Sequence, residues 1–197
     1  SEGTYQENIN FFGKNIVVTS NYLINQDSLL IVNTIIDGNN DGSVATFAGD
    51  EASSAILQGF TLRNGNGNYA DPDGNGSFYT YGGGVYCKSS SPTLKDLIIK
   101  NNSGNAGGGG GVFCYDASPT IDGCIISNNI TDDVGGGLYA RNGSDLIIRD
   151  SEFNANEADL GGGCYFRDQS EPLISNTDFI SNISSNSGGA IIFKDNA

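Results

Sequence analysis

The chain contains no histidine, methionine or tryptophan, and it has only nine lysine and arginine residues against 23 aspartate and glutamate residues. Without histidine, a Ser-His-Asp triad, a Cys-His dyad and a histidine metal site are all excluded. The formal net charge of −14 argues against nucleic acid as a partner, because phosphates need a basic surface. This acidic balance is typical of a soluble extracellular protein, including one that uses divalent cations.

Long hydrophobic runs are also missing from the sequence. No apolar run is long enough to span a bilayer, so we expect no transmembrane helix in this chain. The chain opens at Ser1 without a methionine and stops at Ala197 directly after a repeat, with no capping segment. We therefore expect a single domain over residues 1–197 that is part of a longer secreted protein.

Cysteine is scarce, and its positions follow the repeat described below. The four cysteines are Cys87, Cys114, Cys124 and Cys164. Cys87 and Cys114 occupy one repeat position, which later repeats fill with alanine or phenylalanine. A position that accepts these three residue types is typical of a core, so we expect reduced, buried thiols. A Cys87–Cys114 disulfide stays open as the alternative.

The most prominent feature of the sequence is a repeated phrase, a short segment that begins with glycines. It begins at Gly82, Gly109, Gly135, Gly161 and Gly188, and so returns at a nearly constant interval. The segments between these phrases are short and β-branched, bounded by Asn, Asp, Ser or Gly, which predicts strands joined by tight turns. A period of this length holding about three strands is one turn of a parallel β-helix. The sequence predicts an all-β, right-handed parallel β-helix of about seven coils.

A second phrase marks where the repeat is irregular. Ile36-Asp37-Gly38 and Leu57-Gln58-Gly59 lie closer together than one period, which predicts a tighter coil, whereas Leu57 and Leu94 lie farther apart than one period. The excess over one regular coil is an insertion, and we place it within residues 65–81. A loop that projects from a regular stack is a better place for function than the stack itself.

An asparagine column also follows the repeat, and it consists of Asn102, Asn129, Asn156 and Asn182. Asparagine tolerates bends, and its amide can bond to the copies above and below it. We interpret this column as a structural ladder at a coil corner.

Several phrases carry a family resemblance. They are Gly-Gly-Ala-Ile at 188–191, the Phe-x-x-Asn pairs Phe153/Asn156 and Phe179/Asn182, and Gly-Thr-Tyr-x-Glu-Asn-Ile at 3–9. They resemble bacterial secreted right-handed parallel β-helix proteins and the polymorphic outer membrane protein repeats of autotransporter passengers. The resemblance implies a secreted or cell-surface location in a bacterium, and it is compatible with adhesins, surface proteins and carbohydrate-active enzymes.

Strand alternation predicts which side chains are buried. The predicted core includes Val112, Ile126, Leu138, Phe153, Cys164 and Phe179. Two columns should then point outward from the strand after each glycine run. The aromatic column is Tyr86, Phe113, Tyr139, Tyr165 and Ile192, and the cationic column is Lys88, Tyr115, Arg141, Arg167 and Lys194.

Exposed rings beside cations suit an anionic polysaccharide, so the two columns are the candidate ligand-binding residues. Aromatic ladders also stabilise stacked strands without any ligand, and that interpretation stays open.

Two segments resemble calcium loops. Asp71, Asp73 and Asn75 have the spacing that places oxygens around a hard cation, and residues 37–42 form a looser version. Neither segment has a glutamate at the twelfth position, and such runs also simply form turns. We predict a calcium site at Asp71, Asp73 and Asn75.

These features favour a non-enzymatic surface or secreted module, either an adhesin-like stalk or a glycan-binding surface. One alternative is a polysaccharide lyase or epimerase in which Tyr139, Arg141, Tyr165 and Arg167 supply the groups. Another is a structural repeat that assembles end to end through its coil ends, since an unpaired terminal coil is an open strand edge.

Overall fold

The computed structural model describes residues 2–195, which wind into seven coils of parallel strands. Each complete coil contributes one strand to each of three sheets, and successive coils pair in parallel. The predicted architecture is confirmed, including the number of coils.

The three sheets are named here by their place in the coil. The glycine-run sheet consists of Ile9–Asn10, Ala45–Phe47, Val85–Lys88, Val112–Tyr115, Leu138–Arg141, Cys164–Arg167 and Ile191–Lys194. The second sheet consists of Val17–Thr19, Ile56–Gln58, Thr93–Lys95, Thr120–Asp122, Ile147–Arg149 and Leu173–Ser175. The third sheet consists of Gly3–Gln6, Thr34–Asp37, Thr61–Arg63, Ile98–Lys100, Ile125–Ser127, Glu152–Asn154 and Asp178–Ile180.

The remaining elements lie outside these sheets. An antiparallel hairpin joins Asn68–Ala70 to Tyr79–Tyr81, and a parallel pair at one corner joins Glu157–Leu160 to Ile183–Ser187. The helical segments are Tyr22–Asn25, Leu29–Asn33 and the 3-10 turn Asn105–Gly107. Within residues 2–195, no helix is long and apolar enough to cross a membrane.

The core runs through the middle of the stack, as strand alternation predicts. Val112, Ile126, Leu138, Phe153 and Cys164 are fully buried there. Phe179 was also predicted to be buried, but it is only half-buried, because it lies in the seventh coil and no further coil within residues 2–195 packs on its other ring face. Its ring stacks on Phe153 with the centroids 5.0 Å apart.

The glycine runs are explained by how closely neighbouring coils approach each other. Gly135, the first glycine of its run, has φ +68°, a left-handed conformation that disfavours other residues. Gly136, the second, faces the next coil so closely that an added Cβ would lie 2.5 Å from the carbonyl oxygen of Glu157. The run therefore combines a sharp corner with a backbone contact that leaves no room for a side chain.

The asparagine column forms the predicted ladder. The Nδ2 of Asn102 donates to Oδ1 of Asn129 at 3.0 Å, and Asn129 donates in the same way to Asn156 at 3.0 Å. Asn156 donates to Asn182 at 2.9 Å. At the top of the ladder the backbone N–H of Gly65 donates to Asn102 Oδ1, so Gly65 stands where an asparagine would otherwise start the column.

The tighter coil predicted from Ile36 and Leu57 is wrong. Ile36 belongs to the third sheet and pairs with Leu62 in the next coil, whereas Leu57 belongs to the second sheet and pairs with Leu94. The same short phrase ends strands in two different sheets, so its spacing does not measure a coil. Leu57 and Leu94 are register partners in neighbouring coils, and the antiparallel hairpin of residues 68–81 lies within the segment that we interpret as an insertion.

A second insertion was not predicted. It holds the two short helices between Val17–Thr19 and Thr34–Asp37. Each helix has only four or five residues, too few to produce a helical period in the sequence.

The four cysteines are buried, and the structure contains them as free thiols. Cys87 and Cys114 are register partners in neighbouring strands, as the repeat spacing predicts.

Candidate functional site

The aromatic column lies on the outer face of the glycine-run sheet, but it is not exposed. Phe113 has no exposed surface, and Tyr139 and Tyr165 retain only 3% and 2%. The expected column of exposed rings is therefore wrong, and Tyr86 and Phe113 cannot meet a ligand with their ring faces.

The column is buried because other parts of the chain pack over it. Tyr81, at the base of the hairpin, places its ring 4.4 Å from the ring of Phe113, and Val134 and Leu160 pack against the same cluster from the adjoining corner. Within the column, successive rings lie 5.4–5.6 Å apart. These residues form a second apolar core outside the solenoid, in addition to the one inside it.

Beside this outer core the surface opens into a cleft of about 260 Å³. We call it the arginine cleft, and its lining residues are Tyr79, Tyr81, Ala106, Gly107, Asp133, Val134, Tyr139, Arg141 and Arg167. The hairpin supplies the first two of these residues, the corners supply the next four, and two neighbouring strands of the glycine-run sheet supply the rest.

Arg141 lies deepest among the charged groups of the cleft, with 14% of its side chain exposed. Its guanidinium stacks over the ring of Tyr115, its register partner, with 5.1 Å between Cζ and the ring centroid. Its Nη2 donates to a carboxylate oxygen of Asp73 from the hairpin. Its Nε is buried and has no hydrogen-bond partner in the described part of the chain.

Arg167 follows Arg141 in the next coil and is more open, with 35% of its side chain exposed. Its Nε lies 3.0 Å from Asp168 Oδ2, an ion pair without hydrogen-bond geometry, and its Nη2 lies 3.9 Å from Asp195. Desolvation and the charge of Arg141 both lower the pKa of Arg167. Tyr139 and Asp168 raise it by more, so the pKa of Arg167 is raised overall. Two like charges thus stand in adjacent coils.

The hydroxyls of Tyr81 and Tyr139 in the cleft are neutral. Burial raises the pKa of Tyr139, and the positive charges of Arg141 and Arg167 only partly offset that effect. Burial also raises the pKa of Tyr81 to about 12. These hydroxyls can therefore donate and accept hydrogen bonds, but they are not phenolates at neutral pH.

Asp133 lies at the exposed rim of the cleft. Desolvation of its carboxyl and the neighbouring charge of Asp159 raise its pKa, while Arg167 lowers it. The rim therefore carries a carboxyl group that takes up a proton more readily than an ordinary aspartate.

The structure brings together only part of the predicted ligand-binding set. Tyr139, Arg141 and Arg167 line the arginine cleft, and Tyr115 lies beneath Arg141. The other predicted residues are not among its lining residues: Tyr86, Lys88, Phe113, Tyr165 and Lys194.

Six lining residues were missed from the sequence, and three of them have polar side chains: Tyr79, Tyr81 and Asp133. The two tyrosines belong to the inserted segment whose function was expected from its irregularity. Asp133 follows Asp132 in the sequence, but this carboxylate pair does not by itself place Asp133 beside the cleft, because its position depends on how the corner folds over the sheet.

The predicted calcium residues form the tip of the hairpin. Asp71 accepts hydrogen bonds from the backbone N–H groups of Asn75 and Gly76, and Asn75 Oδ1 accepts one from Ser77. Asp73 is paired with Arg141. No group of three or more His, Cys, Asp or Glu side chains in residues 2–195 is arranged to hold a metal ion. Calcium at Asp71, Asp73 and Asn75 stays a prediction.

The looser loop at residues 37–42 uses its first carboxylate in another way. Asp37 is buried, and its Oδ2 accepts hydrogen bonds from Arg63 Nε and Asn64 Nδ2, both at 2.9 Å. This carboxylate therefore fixes the corner between two coils of the third sheet.

Comparison with known proteins agrees with this architecture. The family model for the right-handed beta helix region matches residues 22–197. No curated protein and no solved structure matches the chain. On the extent of the family match, the chain belongs to the right-handed β-helix family.

Proposed function

We propose that this chain is a non-enzymatic binding module whose arginine cleft takes up an acidic sugar of an anionic glycan. Arg141 and Arg167 would bind the sugar carboxylate, and Tyr79, Tyr81 and Tyr139 would contact the ring and its hydroxyls. Guanidinium groups match carboxylates in geometry and charge, and tyrosine offers both an apolar face and a polar tip.

The presence of two arginines in one cleft is the observation that carries this proposal. Like charges close together on neighbouring strands repel each other, and the chain has only nine basic residues to place. Two of them nevertheless stand in adjacent coils at one cleft. A bound anion between them would relieve their repulsion, which is the arrangement expected of an anion-binding site.

The size of the cleft limits the mode of binding. Its volume of about 260 Å³ lies slightly below the range of ligand sites, which typically run from roughly 300 to 1,000 Å³. Because the rest of the aromatic column is covered, the ligand cannot extend along it. We therefore replace the extended contact expected from the sequence with a discrete site for one or two sugar units.

The lyase or epimerase alternative is less well supported by the same geometry. Both reactions need a base to remove a proton from the sugar, and Tyr139 and Tyr165 were the candidates. Burial raises the pKa of each hydroxyl, which leaves it protonated and poorly matched to that task.

The location of the protein is part of the proposal. The acidic composition and the resemblance of the repeats favour a secreted or bacterial cell-surface module, for which a glycan is an accessible partner. An adhesin-like stalk fits the same features, with the cleft placed on the side of the stack.

End-to-end assembly is a second candidate, favoured by apolar residues on the outermost coils. Val17 in the first coil and Ile180, Ile183 and Phe193 in the seventh are exposed. Sedimentation at increasing protein concentration would test it, since contacts through these residues predict a rising average mass that Phe193→Ser lowers.

Chemical-shift mapping with a uronate trisaccharide would test the proposed site. We expect shifts at residues 79–81, 106–107, 133–141 and 165–167, with none along the second sheet. Shifts confined to other surfaces, or none at saturating sugar, would contradict the assignment.

A further inference from the structure

We propose that Asp73 is the specificity-determining residue of the arginine cleft, because its carboxylate occupies the guanidinium that an incoming carboxylate would bind. This inference rests on the proposed function for the identity of the ligand. The displacement of Asp73 by an anion can be tested without any sugar.

The contact reaches across the fold. Asp73 lies at the tip of the hairpin, which projects from the third coil, whereas Arg141 ends the glycine-run strand of the fifth coil. The two residues are 68 positions apart in sequence. Arg141 has 14% of its side chain exposed and Asp73, at the exposed tip, has 27%, so the ion pair is only partly shielded from water.

The base of the hairpin is fixed to the solenoid. Tyr81 packs in the outer aromatic core, and Thr80 Oγ1 donates to the carbonyl oxygen of Gly104 at 3.2 Å. Asn68, on the opposite strand, donates to Thr46 Oγ1 and accepts from the Ser43 N–H. These contacts hold the two short strands of the hairpin in place independently of the conformation of the tip.

The tip is held much more weakly. Across the described chain, the hydrogen bonds and ion pairs of residues 71–77 are internal to the tip, except the pair between Asp73 and Arg141. Gly74 and Gly76 have positive φ angles, and a Cβ built on either meets nothing within 4 Å. Pro72 is buried, whereas residues 73–77 are exposed, so residues 73–77 are the part of the tip that can move away from Arg141.

A carboxylate tethered in this way is a competitor of high effective concentration. Short tethers give effective concentrations in the millimolar range, so a small free anion at lower concentration does not displace Asp73 from Arg141. A uronate that also contacts Arg167 and the tyrosines gains binding free energy from contacts that Asp73 does not make. The pair therefore selects anionic sugars over simple carboxylates.

The decisive comparison is between the parent chain, Asp73→Asn and Asp116→Asn. Asp116 is an exposed carboxylate beside Tyr115 that bonds to Ser89, so its variant removes the same charge near the cleft without freeing Arg141. Acetate is the first probe, followed through the Arg141 side-chain resonances. We expect acetate to shift them in Asp73→Asn at concentrations that leave the parent and Asp116→Asn unchanged.

A uronate trisaccharide is the second probe, and Asp73→Asn should bind it about threefold to tenfold more tightly than the parent, the range for a partly shielded ion pair. Hydrogen exchange of residues 71–77 should also quicken in Asp73→Asn and Arg141→Gln. Acetate binding to Arg141 without trisaccharide binding would support the role of Asp73 and overturn the sugar ligand. Equal acetate and sugar binding by all three chains would overturn the role of Asp73.

Discussion

The hydroxyl of Ser90 donates to the Oε2 atom of Glu51 at 2.7 Å, and both side chains are buried at a corner of the solenoid. The same carboxylate accepts the backbone N–H groups of Gly13 and Gly49, each at 2.8 Å. Glu51 therefore ties together segments of the first three coils, where the stack is least regular.

The Glu51 carboxylate makes the free energy of unfolding depend on pH. Burial raises the pKa of Glu51, but the hydrogen bonds from Gly49, Ser90 and Gly13 outweigh it, so the folded pKa lies below 4.5. A lowered folded pKa stabilises the protein at pH values above the unfolded pKa, and that contribution is lost as the pH falls through the folded value. We expect stability to drop below about pH 4.5 for this reason.

Glu51→Gln tests that link. It should lower the free energy of unfolding at neutral pH by about 2 kcal/mol, because a charged acceptor of buried hydrogen bonds is lost. Urea unfolding across a pH series would show a smaller acid loss in the variant than in the parent. Glu157→Gln, at an exposed glutamate, is the control, and an identical acid profile for the Glu51 variant and the parent would contradict the assignment.

The asparagine ladder predicts a strong effect at its centre. In Asn129→Ala the backbone N–H of Asn102 loses its acceptor and the carbonyl of Ile99 loses its donor, both in a buried corner. Leaving these groups unpaired should cost about 2–4 kcal/mol in the free energy of unfolding. Asn154→Ala removes a half-buried bond to Glu152 and leaves no buried backbone group without its partner, so it should cost less than about 1 kcal/mol. Equal effects of the two variants in urea unfolding would show that the ladder is not structural.

Phe153→Ala should be among the most destabilising changes in the core. The ring is fully buried and stacks on Phe179, so its loss leaves a cavity between the sixth and seventh coils. The expected cost is about 3–5 kcal/mol in the free energy of unfolding. Phe12→Ala is the matched control, because Phe12 is 75% exposed and its removal should change stability little. A Phe153 effect as small as that of Phe12 would mean that the coil interior is not packed as described.

Calcium at the hairpin tip makes a separate prediction. Asp73 would have to leave Arg141 to become a ligand, so we expect only weak uptake, with a dissociation constant of roughly 10⁻⁴–10⁻³ M. Calorimetric titration should detect the heat of calcium binding in the parent and no such heat in Asp71→Asn. No heat from the parent at millimolar calcium would remove the site.

The repeat made most of the solenoid predictable from sequence. Strand alternation correctly separates Ile126 and Phe153, which point inward, from Tyr139, which points outward, because side chains in a strand alternate strictly between its two faces. The spacing of Asn102 and Asn129 likewise places them one above the other. Repetition fixes the register, so each position in one coil predicts its neighbour in the next.

What covers the outer face was not predictable in the same way. Tyr139 points away from the solenoid and is still buried, because the hairpin and the Val134 corner fold back over it. Where an insertion comes to rest depends on contacts such as Tyr81 with Phe113, which have no periodic signal. The cleft was therefore only partly predicted: Arg141 and Arg167 came from the repeat, whereas Tyr79 and Asp133 came from irregular segments.

The most direct test of the account is calorimetric binding of uronate mono-, tri- and hexasaccharides to the parent, Arg141→Gln, Arg167→Gln and Arg149→Gln. Arg149 is the matched control, because it pairs with Asp122 on the outer face of the second sheet, away from the cleft. We predict that the parent binds the trisaccharide and hexasaccharide equally well, since the site is discrete. Each cleft variant should lose about tenfold or more in affinity and Arg149→Gln none, in keeping with loss of a charge-assisted hydrogen bond. Affinity that keeps rising with chain length, or equal losses in all three arginine variants, would contradict the claim that the arginine cleft is the binding site.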